Sequence, residues 1–264
     1  MTSLVEAIDR LIEANVALRK RRSLAKLERT LAAAMGKAFR AEERAFLRRF
    51  AKLKPLFTEA VRDDDWGLLW NEATGETTKL YQAPLELATE TALQAGMDAA
   101  VLDLGPDLGI KMSFDLKHPD AVEYIKEHGT DRIKRIRQTT REGLRSILAQ
   151  AADEGWSYEK TADAIHKKYK HMSVERGRNI AIFELGDGYE HGNMLVGKSL
   201  QAAGLEMQKS WGTSQDDLVR PAHSANEREG WIPLDDAFSS GHDRPPTDPR
   251  CRCFVKQRRK PDDE

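Results

Sequence analysis

The sequence predicts an α+β protein, mostly helical in its N-terminal and central parts, with a small C-terminal β-rich lobe. Apolar residues recur at three- and four-residue spacings along most of the chain, the period of a helix with one buried stripe. After Gly204 that period gives way to short alternating or apolar runs set among polar loops, as strands require. Helices first and strands afterwards, without regular alternation between them, make an α+β arrangement.

The chain has 264 residues, a formal net charge of −1 and 32 % charged residues. Near-zero net charge provides no global field for nucleic acid, so any such contact must come from local patches. No apolar run approaches the roughly 18 residues of a membrane span. The first twenty residues mix charge with apolarity and form no leader core, and Cys251 and Cys253 are the only cysteines; a protein made in a reducing cytoplasm is expected. Three stretches are expected: 1–115, a helical region for portal or partner contact; 116–204, a central helical region; and 205–264, the β-rich lobe with a basic tail.

The first fifty residues read as helix. Leu4, Val5, Ile8, Leu11 and Ile12, then Leu24, Leu27, Leu31, Met35 and Phe39, fall on one stripe. The basic groups "RKRRS" (19–23) and "RAEERAFLRRF" (40–50) read as a solvated charged face, with phosphate or partner contact as the alternative. From "VRDDDWG" to "ATGETTKLYQ" the period lapses, which predicts an irregular connector or a short hairpin. Pro84 then stands at a first-turn position and opens a helix that Gly105-Pro106 stops. Pro119 opens a short helix ending near Gly129, and Thr130 caps a longer one closed by Gly155. Ser157 and Ser173 each cap a further helix. Strands are expected within "LEMQKSWGTS", "EGWIPL" and "CRCFVK".

The lobe holds the most specific residues, in "KSWGTSQDDLVRPAHSANEREGWIPLDDAF" and "DRPPTDPRCRCFV". Their order is Trp, Thr, Asp-Asp, Arg-Pro-x-His, Gly, an apolar pair, Phe, Pro-x-x-Pro and Cys-Arg-Cys. It resembles the C-terminal signature of the phage Mu F-like minor head proteins, the head-morphogenesis family of tailed phages. The likeness is specific over 205–256, extends upstream to about Asp120, and is absent over 1–115. Ile182 and Phe183 stand where the family commonly has Arg and Thr before the position of Glu184; a buried helix face is the expected reason.

The resemblance implies a minor head protein of a tailed phage or prophage. Such a protein is a virion component inside the head near the portal, present in the host cytoplasm during assembly. Its implied partners are the portal protein and capsid or scaffold proteins, with a part in packaging or ejection; sequence-independent contact with packaged DNA is a separate reading, taken from the basic tail. No catalytic role is implied, and the residues add no phosphate-cradling glycine loop, H-E-x-x-H or nucleophile elbow. A zinc-stabilised DNA-binding accessory protein is the alternative.

Cys251 and Cys253 sit at alternate positions of the last expected strand, so both thiols share a face with Val255, opposite Arg252 and Phe254. A disulfide across one residue is strained. Two readings remain. The thiols pack as small hydrophobes, or they bind zinc with His223 and with His242 or the carboxylate of Asp217. His223 has two further readings, a general base beside Asp217 and a hydrogen-bonded loop histidine. Arg220 has two readings, a pair with Asp216 or Asp217 that stiffens the loop, and an exposed arginine. The tail "KQRRKPDDE" is read as a solvated end, with DNA contact as its alternative.

Overall fold

The computed structural model describes residues 4–56, 63–109 and 111–261, without the side chains of 4–13, 55, 56, 63–65, 129, 130, 172 and 173. The helices are α1 (Leu4–Phe50), α2 (Asp63–Leu108), α3 (Pro119–Asp153), α4 (Tyr158–Ala202) and the short α5 (Pro221–Arg228). A 3-10 turn, Ala51–Leu56, follows α1. The strands are β1 (Met207–Gly212), β2 (Trp231–Pro233) and β3 (Phe254–Arg259), in the order β2-β1-β3 with both pairings antiparallel. The protein is therefore α+β, helical until a small sheet near its end.

Four expectations about element boundaries are corrected. The connector or hairpin expected from Val61 onward is, from Asp63, the first part of α2, and Val61 and Arg62 lie outside the described residues. Its buried stripe is Trp66, Trp70, Ala73, Thr77 and Tyr81, a helical spacing carried by aromatic and threonine side chains in place of aliphatic ones. The threonines do not compete with the helix, because Thr74, Thr77 and Thr78 donate their hydroxyls to the carbonyls of Trp70, Ala73 and Thr74. Pro84 lies inside α2, not at its start. An interior proline costs roughly 3 kcal/mol, and the burial of Tyr81 and Leu85 on either side offsets it. α3 continues through Gly129 and Thr130, and α4 continues through Ser173. At Thr130 a capping preference of about 1 kcal/mol yields to the burial of Tyr124 before it and Ile133 after it.

Other signals hold. The Ser157 hydroxyl accepts the Lys160 N–H at 3.2 Å, closing the start of α4. Gly155 turns the chain after α3 with φ of 62°, and Trp156 N–H returns to the Ala151 carbonyl.

The chain divides into two compact units. One is built from Thr30–Glu86 and Lys126–Ile180. Its core gathers Phe46, Phe50, Trp66, Trp70, Leu144 and Ile165. Beside it is a polar cluster: Glu42, fully buried, meets Arg137 at 3.3 Å and accepts from the Tyr169 hydroxyl at 3.4 Å. Burial raises the Glu42 carboxyl above its ordinary range, against the opposing pull of Arg137. The "RAEERAFLRRF" group is thus no uniform solvated face. Arg48 and Arg49 pair with Glu76, while Glu42 and Glu43 point inward.

The other unit is built from Met1–Arg29, Leu87–Ile125 and Ala181–Glu264. α2 and α4 approach closely in it. A Cβ on Gly96 would stand 1.9 Å from the Tyr189 carbonyl oxygen, and one on Gly192 would stand 2.1 Å from that of Leu93. Around this contact Leu93, Met97, Tyr124, Leu195, Met207 and Val255 form the core on which β1 and β3 lie. Val255 therefore packs among helices and not with the thiols. Phe254, expected on the outward face, is also buried, so both faces of β3 are covered.

Candidate functional site

The site is built where the two cysteines enter β3. β3 begins at Phe254, so Cys251 and Cys253 belong to the extended segment just before it. Arg250 holds a left-handed conformation, φ 65°, and the Cys251 N–H returns to the Asp248 carbonyl at 3.1 Å. This turn aims both thiols inward and leaves Arg252 exposed between them. They pack with Trp211 of β1 and Phe238, and Ile232 of β2 leans on the group.

His223 comes from α5, a helix that the sequence reading took for loop. Pro221 at its first turn was the available signal. α5 is tied down by its own polar residues. Thr213 donates its backbone N–H and its hydroxyl to Glu227 Oε1, each at 2.9 Å, and the buried Asn226 accepts the Ser240 N–H at 3.2 Å. The helix thereby presents His223 to the thiols: Nδ1 lies 3.7 Å from Cys251 Sγ and 3.4 Å from Cys253 Sγ.

Behind the imidazole is a second set of contacts that the sequence reading missed. His223 Nε2 is 2.8 Å from Thr247 Oγ1, and the Thr247 hydroxyl donates to Asp248 Oδ2 at 2.9 Å. With its proton committed to that carboxylate, Thr247 Oγ1 accepts from His223 Nε2–H, so the Nδ1 lone pair faces the sulfurs. The adjacent hydroxyl and carboxylate in "TDPRCRC" were the legible sign. The Trp211 ring also packs on the imidazole, centroids 5.3 Å apart.

Two thiols this close do not ionise independently. The hydrogen bond from Cys253 brings the Cys251 thiol down to about 6, against the effect of burial; the same bond, with burial, pushes Cys253 up.

The backbone of the cysteine segment is anchored from α1. Lys20 Nζ donates to the Cys253 carbonyl at 2.8 Å and to Glu190 Oε1 at 2.7 Å, and Glu190 Oε2 accepts the Val255 N–H at 3.0 Å. Lys20 belongs to "RKRRS", expected as a solvated face, yet it is buried, while Arg21 and Arg22 are exposed.

The remaining expectations divide. His242 is exposed, with Nδ1 near Ser240 Oγ, and it does not join His223, Cys251 and Cys253. Asp217 is likewise exposed and outside that group. The carboxylate near His223 is Asp248. Arg220 pairs with Asp248 and donates to the Pro249 carbonyl, and Asp216 pairs instead with Arg252. Ile182 and Phe183 are half-buried; the fully covered neighbours are Ala181 and Leu185. Most of the tail is no loose end: Lys256, Arg258 and Arg259 lie in β3, and Lys256 and Arg258 stack on the Trp231 ring. Residues 262–264 lie outside the described residues.

No described helix is long and apolar enough to cross a membrane. Residues 142–256, from within α3 into β3, match the family model described as Phage Mu protein F like protein. No curated protein and no solved structure matches the chain. The matched stretch contains α4, β1, α5, β2 and the start of β3, with Trp211, His223, Thr247, Asp248 and both cysteines, while Lys20 lies outside it. In that match, and in the order of residues between Trp211 and Cys253, residues 142–256 are similar to the Mu F-like proteins of phage head morphogenesis.

Proposed function

We propose that the protein is a minor head protein that associates with the portal and the inner capsid during head assembly, and that it influences DNA packaging or ejection. The family match over residues 142–256 carries this reading. Its role is structural: α4 and the lobe form the shared framework, and exposed apolar side chains on α2, Leu68, Leu80, Leu87 and Leu102, are available to a protein partner. Full-length protein mixed with the portal protein is expected to co-elute with it in gel filtration and to show no duplex DNA binding near 0.1 M salt. Separate elution of the two proteins overturns the portal assignment.

One observation favours the DNA-binding accessory protein. In the unit built from Thr30–Glu86 and Lys126–Ile180, a cleft of about 640 Å³ is lined by Trp66, Trp70, Lys134, Arg137, Arg141 and Arg145. The cations suit phosphate contact, whereas Trp66 and Trp70 are buried and present no open ring face to a base. Arg137, however, is already engaged by Glu42 and the Thr74 carbonyl. Duplex affinity that falls steeply with added salt would favour this reading over the first.

A further inference from the structure

We propose that His223, Cys251 and Cys253 bind a zinc ion. The proposal stands on the geometry of the lobe and does not depend on the head-protein reading.

The three ligand atoms lie within 4.8 Å of one another on three buried residues, each less than 5 % exposed. In tetrahedral zinc sites the metal–sulfur distance is about 2.3 Å and the metal–nitrogen distance about 2.1 Å, which sets the nitrogen–sulfur edge at about 3.6 Å. The observed edges are 3.7 and 3.4 Å. The arrangement has the size of a zinc coordination shell.

The imidazole is prepared in the required form. Its Nε2–H is taken by Thr247, which Asp248 holds in turn, so Nδ1 offers a lone pair to the sulfurs. Carboxylate-backed support of this kind orients metal-binding histidines and fixes their tautomer. One lone pair accepts one proton, yet two thiols converge on it. A divalent cation resolves that mismatch by using the nitrogen and both sulfurs together, each thiol releasing its proton to solvent on binding.

Trp211 adds an independent indication. Its Nε1 is buried and has no hydrogen-bond partner among the described residues, an uncommon state for an indole N–H. A metal-bound sulfur, rich in electron density, is the acceptor that this donor lacks.

The backbone is equally fixed. The Cys253 carbonyl is held by Lys20 and the Cys251 N–H by the Asp248 carbonyl, so the sulfurs are preorganised. Two thiolates and an imidazole suit zinc better than magnesium or calcium, which prefer oxygen ligands. Among the described residues no fourth His, Cys, Asp or Glu joins the group, and a water molecule takes the remaining corner.

The test is metal analysis of the full-length protein, produced with zinc supplied and purified without chelator, together with zinc-edge X-ray absorption. About one zinc per chain, with two sulfur and two nitrogen or oxygen neighbours, is expected. Cys251→Ser with Cys253→Ser is expected to lose the zinc. Because that variant removes buried groups, Thr247→Val serves as the second variant; it leaves all three ligands in place and is expected to weaken zinc binding about 10- to 100-fold. Zinc-free wild-type protein, a Cys251–Cys253 disulfide, oxygen-only ligation, or zinc retained in full by the double serine variant each overturns the proposal.

Discussion

Alanine at Gly192 is expected to cost about 3 kcal/mol or more of stability, although alanine normally strengthens a helix relative to glycine by about 1 kcal/mol. The reversal comes from the approach of α2 and α4. The new methyl group would meet the Leu93 carbonyl oxygen at 2.1 Å, with the Leu93 carbonyl carbon and the Met97 nitrogen each at 3.0 Å, and all three are backbone atoms that no side-chain rotation can remove. Gly96→Ala meets the Tyr189 carbonyl in the same way, so it should fail similarly. Gly75→Ala, also in α2, is the control, since its Cβ would meet nothing within 4 Å. It is expected to be neutral or slightly stabilising. Urea unfolding of the three variants checks the order, and a Gly192→Ala protein as stable as wild type would show that the helices do not pack at this distance.

The second large effect lies at Lys20. Its ammonium and the Glu190 carboxylate are both removed from water, with side-chain exposures of 10 % and 0 %. Removing one partner of such a pair strands the other, at about 3–5 kcal/mol. Lys20→Ala is therefore expected to lose about that much, and to release the cysteine segment by freeing the Cys253 carbonyl. Combining Lys20→Met with Glu190→Gln should recover much of the loss. The glutamine still accepts the Val255 N–H, and no charge is left buried. If the double variant is as unstable as Lys20→Ala, the stranded charge is not the cause.

The sequence made the α+β class and β1 legible because alternation and helical spacing are local, and Trp211 marks the strand that is buried most deeply. It failed from Asp63 to Gln82, where the buried stripe is written in tryptophan, threonine and tyrosine and looks polar when only aliphatic residues are followed. Local cap and proline signals at Pro84, Thr130 and Ser173 predicted breaks that the long helices override. At the candidate site, His223, Cys251 and Cys253 could be named in advance because few residue types do that chemistry. Their supporting residues could not. Lys20 and Glu190 stand 170 positions apart, and nothing in a run of four basic residues marks which one turns inward. Thr247 and Asp248 were close at hand, but their relation to His223 exists only after the loop folds back over α5.

The central claim is that this chain is a component of the phage head. Quantitative mass spectrometry of purified, DNA-filled heads tests it most directly: the account predicts the chain in every preparation, at a copy number far below that of the major capsid protein. Heads that are complete, infectious and free of it would contradict the account.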